Sequence, residues 1–276
     1  MGIVLGLAAA ILYGSGDYAG GRASDGVDVR RVLLVSQGTA AIGSVFALLF
    51  VHGVAAGADL ARGVAAGLLT ALGLGLLYRA LAIGRASVVA PLCAATGAVV
   101  PVTWGLATGE RPGAIALAGV ACAIAAGVLL ARTDDGSGDG PSGIGLAFGA
   151  GAALGASFVC FAATGDASGL WPVAASRVAA TVAVALVVSV RRPERIALPR
   201  RAATIAVVAG VCDVVATVAL VAGLRAELAV LVAALAALAP GFTVACAWVF
   251  ARERVGRDQL VGVGLALAGL AMIAAR

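Results

Sequence analysis

The sequence predicts an all-α integral membrane protein of ten transmembrane helices, arranged as two inverted five-helix repeats. Three observations predict it. Of the 276 residues, 62% are hydrophobic and 12% charged, against about 45–50% and about 25% in soluble domains. The apolar residues form long runs: 86–109 and 228–251 each extend 24 residues without a charge. About 20 residues suffice to carry an α-helix across a bilayer core. Finally, segments of the two halves of the chain match each other at a nearly constant spacing.

The first expected span, 2–21, has no basic n-region, so it reads as a retained helix and not a secretory leader. The second, 32–52, follows Arg30 and Arg31 and ends at His52, the lone histidine, expected at the membrane interface. The third, 63–84, nearly fuses with the fourth, 86–109, around Gly84 and Arg85. Pro91 and Pro101 interrupt the fourth. Prolines free backbone carbonyls, which a membrane tolerates only where the helix kinks or lines a cavity. The fifth span, 113–131, carries Gly119 and Gly127, small residues that let helices approach closely.

The stretch "RTDDGSGDGPSG" follows, rich in Gly, Ser and Asp, and reads as a flexible tether. It separates a first repeat, 1–131, from a second, 143–276, with 132–142 as linker. In the second repeat the expected spans are 143–165, 168–190, 202–224, 228–251 and 259–275. Pro240 interrupts the ninth, and Gly262, Gly264 and Gly269 offer close contacts in the tenth. The fourth and ninth spans close on "GERPG" and "RERVG", where Glu110 and Glu253 are expected to cap a loop or pair with arginine.

The halves align residue by residue. "GRAS" at 84–87 lies over "LRAE" at 224–227, and Ser36-Gln37 over Ser176-Arg177, both at a shift of 140. "GERPG" meets "RERVG" at a shift of 143, as Gly119 meets Gly262, and "GLA" at 6–8 meets "GLA" at 145–147 at 139. An odd number of spans per copy makes the second copy enter the bilayer from the opposite face.

On these residues the chain resembles the EamA-type ten-helix members of the drug/metabolite transporter superfamily. The stretches that carry the resemblance are "ILYGSGDYAGG", "YRALAIGRASVVAPL", "GERPG" and "RERVGRDQLVGVGLALAGL". The resemblance covers nearly the whole chain. It implies transport of a small metabolite or drug through a central cavity between the halves, with export the expected direction. The second span departs from the pattern: Gln37 stands where an Arg is common in that family, while Arg177 keeps it in the second half.

All 19 basic residues are arginine. They are scattered between apolar runs, without the aromatic-interleaved basic patch of a nucleic-acid binder, so no nucleic-acid partner is expected. Thirteen lie in the loops after odd-numbered spans (Arg22, Arg30, Arg31, Arg85, Arg132, Arg191, Arg192, Arg195, Arg200, Arg201, Arg252, Arg254, Arg257). Four lie on the other side: Arg62, Arg111, Arg225 and Arg276. The positive-inside bias then places the thirteen in the cytoplasm and both termini outside a cell membrane. The five cysteines fall inside apolar runs without a C-x-x-C pair, so they read as small buried thiols and no metal or other cofactor is expected. No G-x-x-x-x-G-K-[ST] loop is present, which argues against ATP-driven pumping.

Four charges fall inside expected spans: Asp17, Arg79, Arg177 and Asp213. Each costs about 2.5–3.5 kcal/mol near a helix centre, so each needs a partner or a watery cavity. Asp213 is the deepest, with Thr217 one turn on, and Arg177 on the antiparallel seventh span is within reach of it. Tyr13, Gly14 and Gly16 precede Asp17, the glycines being expected to loosen the helix around a cavity lining. Arg79 is shallower and can snorkel. Gln37, Tyr78, Trp104, Ser157 and Thr243 complete the candidates for a substrate site. The expected partners are a small-molecule substrate, the lipid bilayer and, through Asp213 or Asp17, protons; with both halves fused, a monomer suffices. An intramembrane enzyme and a non-transporting scaffold are the competing classes. One histidine and two scattered aspartates are thin material for the first, and the embedded charges are superfluous in the second.

Overall fold

The computed structural model describes residues 2–107, 113–133, 143–191, 198–226, 239–251 and 257–274. The helices among them are α1 (Gly2–Ala23), α2 (Val29–Ala47), α3 (Gly57–Ile83), α4 (Ala86–Ala107), α5 (Ala114–Thr133), α6 (Ile144–Ala162), α7 (Trp171–Arg191), α8 (Arg200–Ala226), α9 (Ala239–Ala251) and α10 (Arg257–Ala274). Four helical stretches among the described residues are long and apolar enough to cross a membrane: Gly57–Ile83, Ile144–Phe161, Trp171–Val190 and Arg200–Leu220. Of the expected linker 132–142, residues 132–133 end α5; residues 134–142, Glu110, Glu253 and residues 228–238 of the ninth expected span lie outside the described residues.

Two boundaries differ from the expected ones for local reasons. α2 stops at Ala47 and gives way to a turn at 48–50, where the exposed rings of Phe46 and Phe50 meet edge to face. Hydropathy registers apolar residues there but not the turn. α3 starts at Gly57 and not at 63, because Asp59 and Arg62 pair at i, i+3 and the first helical turn favours an acid. At the start of α2, Asp28 accepts a hydrogen bond from the Arg30 amide at 3.0 Å and two from its guanidinium at 2.9 and 2.7 Å. Those Arg30 hydrogen bonds hold the Asp28 carboxyl below the usual carboxylate range.

The interior is built from small side chains. Ala9, Ala10, Ala40, Ala66, Ala150, Ala180 and Ala206 are fully buried, whereas Ile42, Leu49, Phe50, Val190 and Phe250 are exposed. In lipid, tight packing and not apolar burial holds helices together, so small residues face inward and large ones outward. The prolines of α4 leave the helix continuous, with Pro91 fully buried. Pro240 lies within the described part of α9.

Glycine contacts fix the helix directions. Gly20 lies against Tyr78 and Gly21 against Leu81, so α1 and α3 run the same way. Gly73 lies against Leu154 and Gly149 against Leu76, so α6 opposes α3 and therefore α1. α7 runs with α3 (Gly63 on Pro172, Gly67 on Ser176), α8 with α2 (Gly210 on Ser36, Gly43 on Val214), and α4 with α6 (Gly151 on Cys93, Gly155 on Val100). α8 opposes α1, and α9 runs with α1, Gly14 lying on Ala239 and Tyr18 stacking on Phe250. The pairings are reciprocal: α1 packs on α8 as α6 packs on α3, α1 on α9 as α6 on α4, and α2 on α8 as α7 on α3. α5 packs along α10, although a side chain at Gly264 would meet nothing.

Candidate functional site

Polar side chains gather where α1, α2, α3, α7 and α8 meet. α8 contributes Asp213 and Thr217 at i, i+4, hence on one face. α1 contributes Tyr13 and Asp17 at the same spacing from the opposite direction. Gly16 permits the approach, since a Cβ there would stand 3.1 Å from Cys212 Cβ. The Thr217 hydroxyl donates to the Asp213 carbonyl at 2.8 Å. Its single hydrogen is thereby used, and the Tyr13 hydroxyl, 2.9 Å away, donates to Thr217 Oγ1.

Gly14 and Gly16 were expected to loosen α1; instead the helix is continuous through both, and they are buried against α9 and α8. Their missing side chains let backbones approach. Thr243 uses that proximity, donating from α9 to the Gly14 carbonyl at 3.1 Å.

Arg177, on α7, donates through Nη2 to Asp213 Oδ1 at 3.0 Å, with 10% and 17% of the two side chains exposed. Its Nη1 points to Gln37 Oε1 at 3.5 Å, a long contact that orients more than it binds. Gln37 is itself 1% exposed. The second oxygen of Asp213, Oδ2, is buried and has no hydrogen-bond partner among the described residues, and the same is true of Ser176 Oγ. Asp17, half-buried, makes no hydrogen bond or ion pair among the described residues and lies close enough to Asp213 for the two charges to repel. Tyr78 is buried beside them, with its ring over the bare face of Gly20.

The structure thus brings together Tyr13, Asp17, Gln37, Tyr78, Arg177, Asp213 and Thr217. Of the other four, Thr243 bonds the Gly14 carbonyl, and three stay apart. Arg79 is exposed, on the face of α3 away from Tyr78, as a snorkelling arginine would be. Trp104 is 57% exposed on α4. Ser157 is buried on α6 but bonds its own helix at the Leu154 carbonyl, 2.7 Å away. Sequence reasoning passed over Ser36 and Ser176 as site residues, although their match across the repeats was the available signal. It also passed over Asp59. Among the described residues, no three His, Cys, Asp or Glu side chains cluster as a metal site would require. Counting formal charges, two carboxylates and one guanidinium leave the cluster one negative charge in excess.

Residues 141–275 match the model of the EamA-like transporter family, consistent with the drug/metabolite transporter superfamily. No curated protein matches the sequence significantly. A protein of known crystal structure, 17% identical, superposes over 98% of this chain and 95% of its own with a TM-score of 0.65, a likeness of fold that runs through both halves.

Proposed function

We propose, from the match of residues 141–275 to the EamA-like transporter family, that this multi-pass membrane protein is a secondary carrier exporting a small metabolite or drug. Ten spans in two inverted repeats rock about the polar cluster, opening it to one side of the membrane and then the other. Two observations support the repeat reading: α1 and α6 run in opposite senses, and three of the main helix contacts recur when each helix is exchanged for the one five places on.

The observation that carries the functional reading is the Arg177–Asp213 pair, made between α7 and α8 and facing Tyr13, Asp17, Gln37 and Tyr78 of the first half. A purely structural pair would leave neither an unpartnered carboxylate oxygen nor a second carboxylate beside it. Both invite a ligand. The excess negative charge favours a cationic group of the substrate, a proton, or one in exchange for the other. Rocking exchanges the Arg177–Asp213 contact for contacts to that ligand, which couples binding to movement.

The test is a thermal-shift screen of the purified protein against a metabolite panel, followed by flux into liposomes. A compound that raises the melting temperature and crosses the bilayer only with the protein present is the expected result. Binding without flux would leave a receptor, and chemical conversion an enzyme. The arginine bias, thirteen against four, supports cytoplasmic loops after the odd-numbered spans and external termini. A reporter fused to the C-terminus and active only in the cytoplasm should be silent; activity overturns that orientation.

A further inference from the structure

We infer that Asp59 and the loop before α7 form a polar latch closing one end of the transport path, an inference that rests on the carrier reading. Asp59 is buried at the start of α3, in the first half of the chain. Its Oδ2 accepts a hydrogen bond from the Gly165 amide at 3.1 Å and another from the Ser168 hydroxyl, both in the second half. Two more bonds cross between the same loops: the Val54 amide donates to the Ala167 carbonyl at 2.8 Å, and Trp171 Nε1 to the Gly53 carbonyl at 3.1 Å. A side chain at Gly53 would collide with the Ser168 carbonyl, so the loops meet through bare backbone. Arg62 holds the other oxygen of Asp59 at 2.7 Å and keeps the carboxylate aimed.

The closure continues inward. One turn below the latch Gly63 lies on the Pro172 carbonyl, and a turn further Gly67 lies on Ser176, where any Cβ would collide with backbone. The next residue of α7 is Arg177. From the membrane face to the central pair, the α3–α7 seam therefore has no room for a passing molecule. The equivalent seam, between α8 and α2, differs. At the repeat shift of 140, Gly63 and Gly67 correspond to Ala203 and Val207, and Val207 is 42% exposed. The glycine contact there, Gly210 on the Ser36 carbonyl, is nearer the cluster, with alanines Ala202 and Ala206 buried outside it. Among the described residues, bare backbone closes on backbone across the outer seam at the Asp59 end. Closure at one end is what one of the two end states of a rocking carrier displays.

The latch is tested by thiol accessibility. A reporter is placed with Thr70→Cys, a buried position on α3 between the seam and Tyr78. Modification by a membrane-impermeant maleimide is measured on the peptide carrying position 70, with reagent added to each face in turn. Asp59→Ala in this background should raise labelling from the Asp59 face by at least about tenfold, since it loses both charge-assisted hydrogen bonds across the halves and one alone is worth about that. Labelling from the opposite face should fall. Ser168→Ala, which leaves Asp59 and its pairing with Arg62 in place, should act in the same direction more weakly. Combined with Asp59→Ala it should add little. Unchanged labelling in both variants overturns the latch, as does a rise at one face with no fall at the other, which would mean local fraying. Substrate flux by the parent protein is read separately, so a failure of the carrier reading stays distinct from a failure of the latch.

Discussion

Arg177→Ala is expected to destabilise the protein by about 3–5 kcal/mol, the cost of removing one partner from a buried ion pair. The loss would be seen as a lower thermal midpoint in detergent. Its cause is electrostatic: without the guanidinium, Asp213 keeps one unpartnered oxygen and gains another, and Asp17 lies near enough to repel it. Gln37, at 3.5 Å from Arg177, can offer a dipole but no countercharge. The double variant Arg177→Met/Asp213→Leu removes both charges and should recover most of the stability, because an apolar pair of similar size packs without a desolvation cost. It should not recover transport. Recovery of both would make the pair a scaffold element and remove the main support for a central site.

Asp17→Asn is expected to leave the fold intact while reducing pH-gradient-driven transport by at least about tenfold, equivalent to about 1.4 kcal/mol of coupling. The amide has nearly the same shape, and Asp17 holds no described ion pair to lose. What disappears is a group able to take up and release a proton. Asp213→Asn should impair transport and stability together, since Arg177 then loses its countercharge. If both amide variants retain full gradient-driven flux, neither carboxylate carries the proton and the coupling is wrong.

Much of the architecture was legible because a bilayer imposes a strict rule: a segment that crosses it must be helical, apolar and about 20 residues long. Composition and charge-free runs alone therefore announce helices and their rough bounds. They misplace ends such as those of α2 and α3, where an apolar turn and an acid–base pair decide what hydropathy cannot register. Embedded charges are equally legible, being costly anywhere in lipid, and Asp213 and Arg177 stand out on that ground. Arg79 shows the limit. A charge inside an apolar run can point inward or snorkel outward, and rotation about the helix axis separates the two.

The sequence by itself determined that the chain is helical and membrane-embedded, that its halves share a pattern, and that a few polar residues need an explanation. Tertiary structure alone decided which of them meet. It set Tyr13 on Thr217 and Arg177 on Asp213, left Trp104 and Ser157 apart, and drew Asp59 to a loop more than a hundred residues away. The physical reason is that apolarity is a property of each residue and is written locally. Helix partners are chosen by the fit of glycine and alanine faces, and that fit exists only once both surfaces are present.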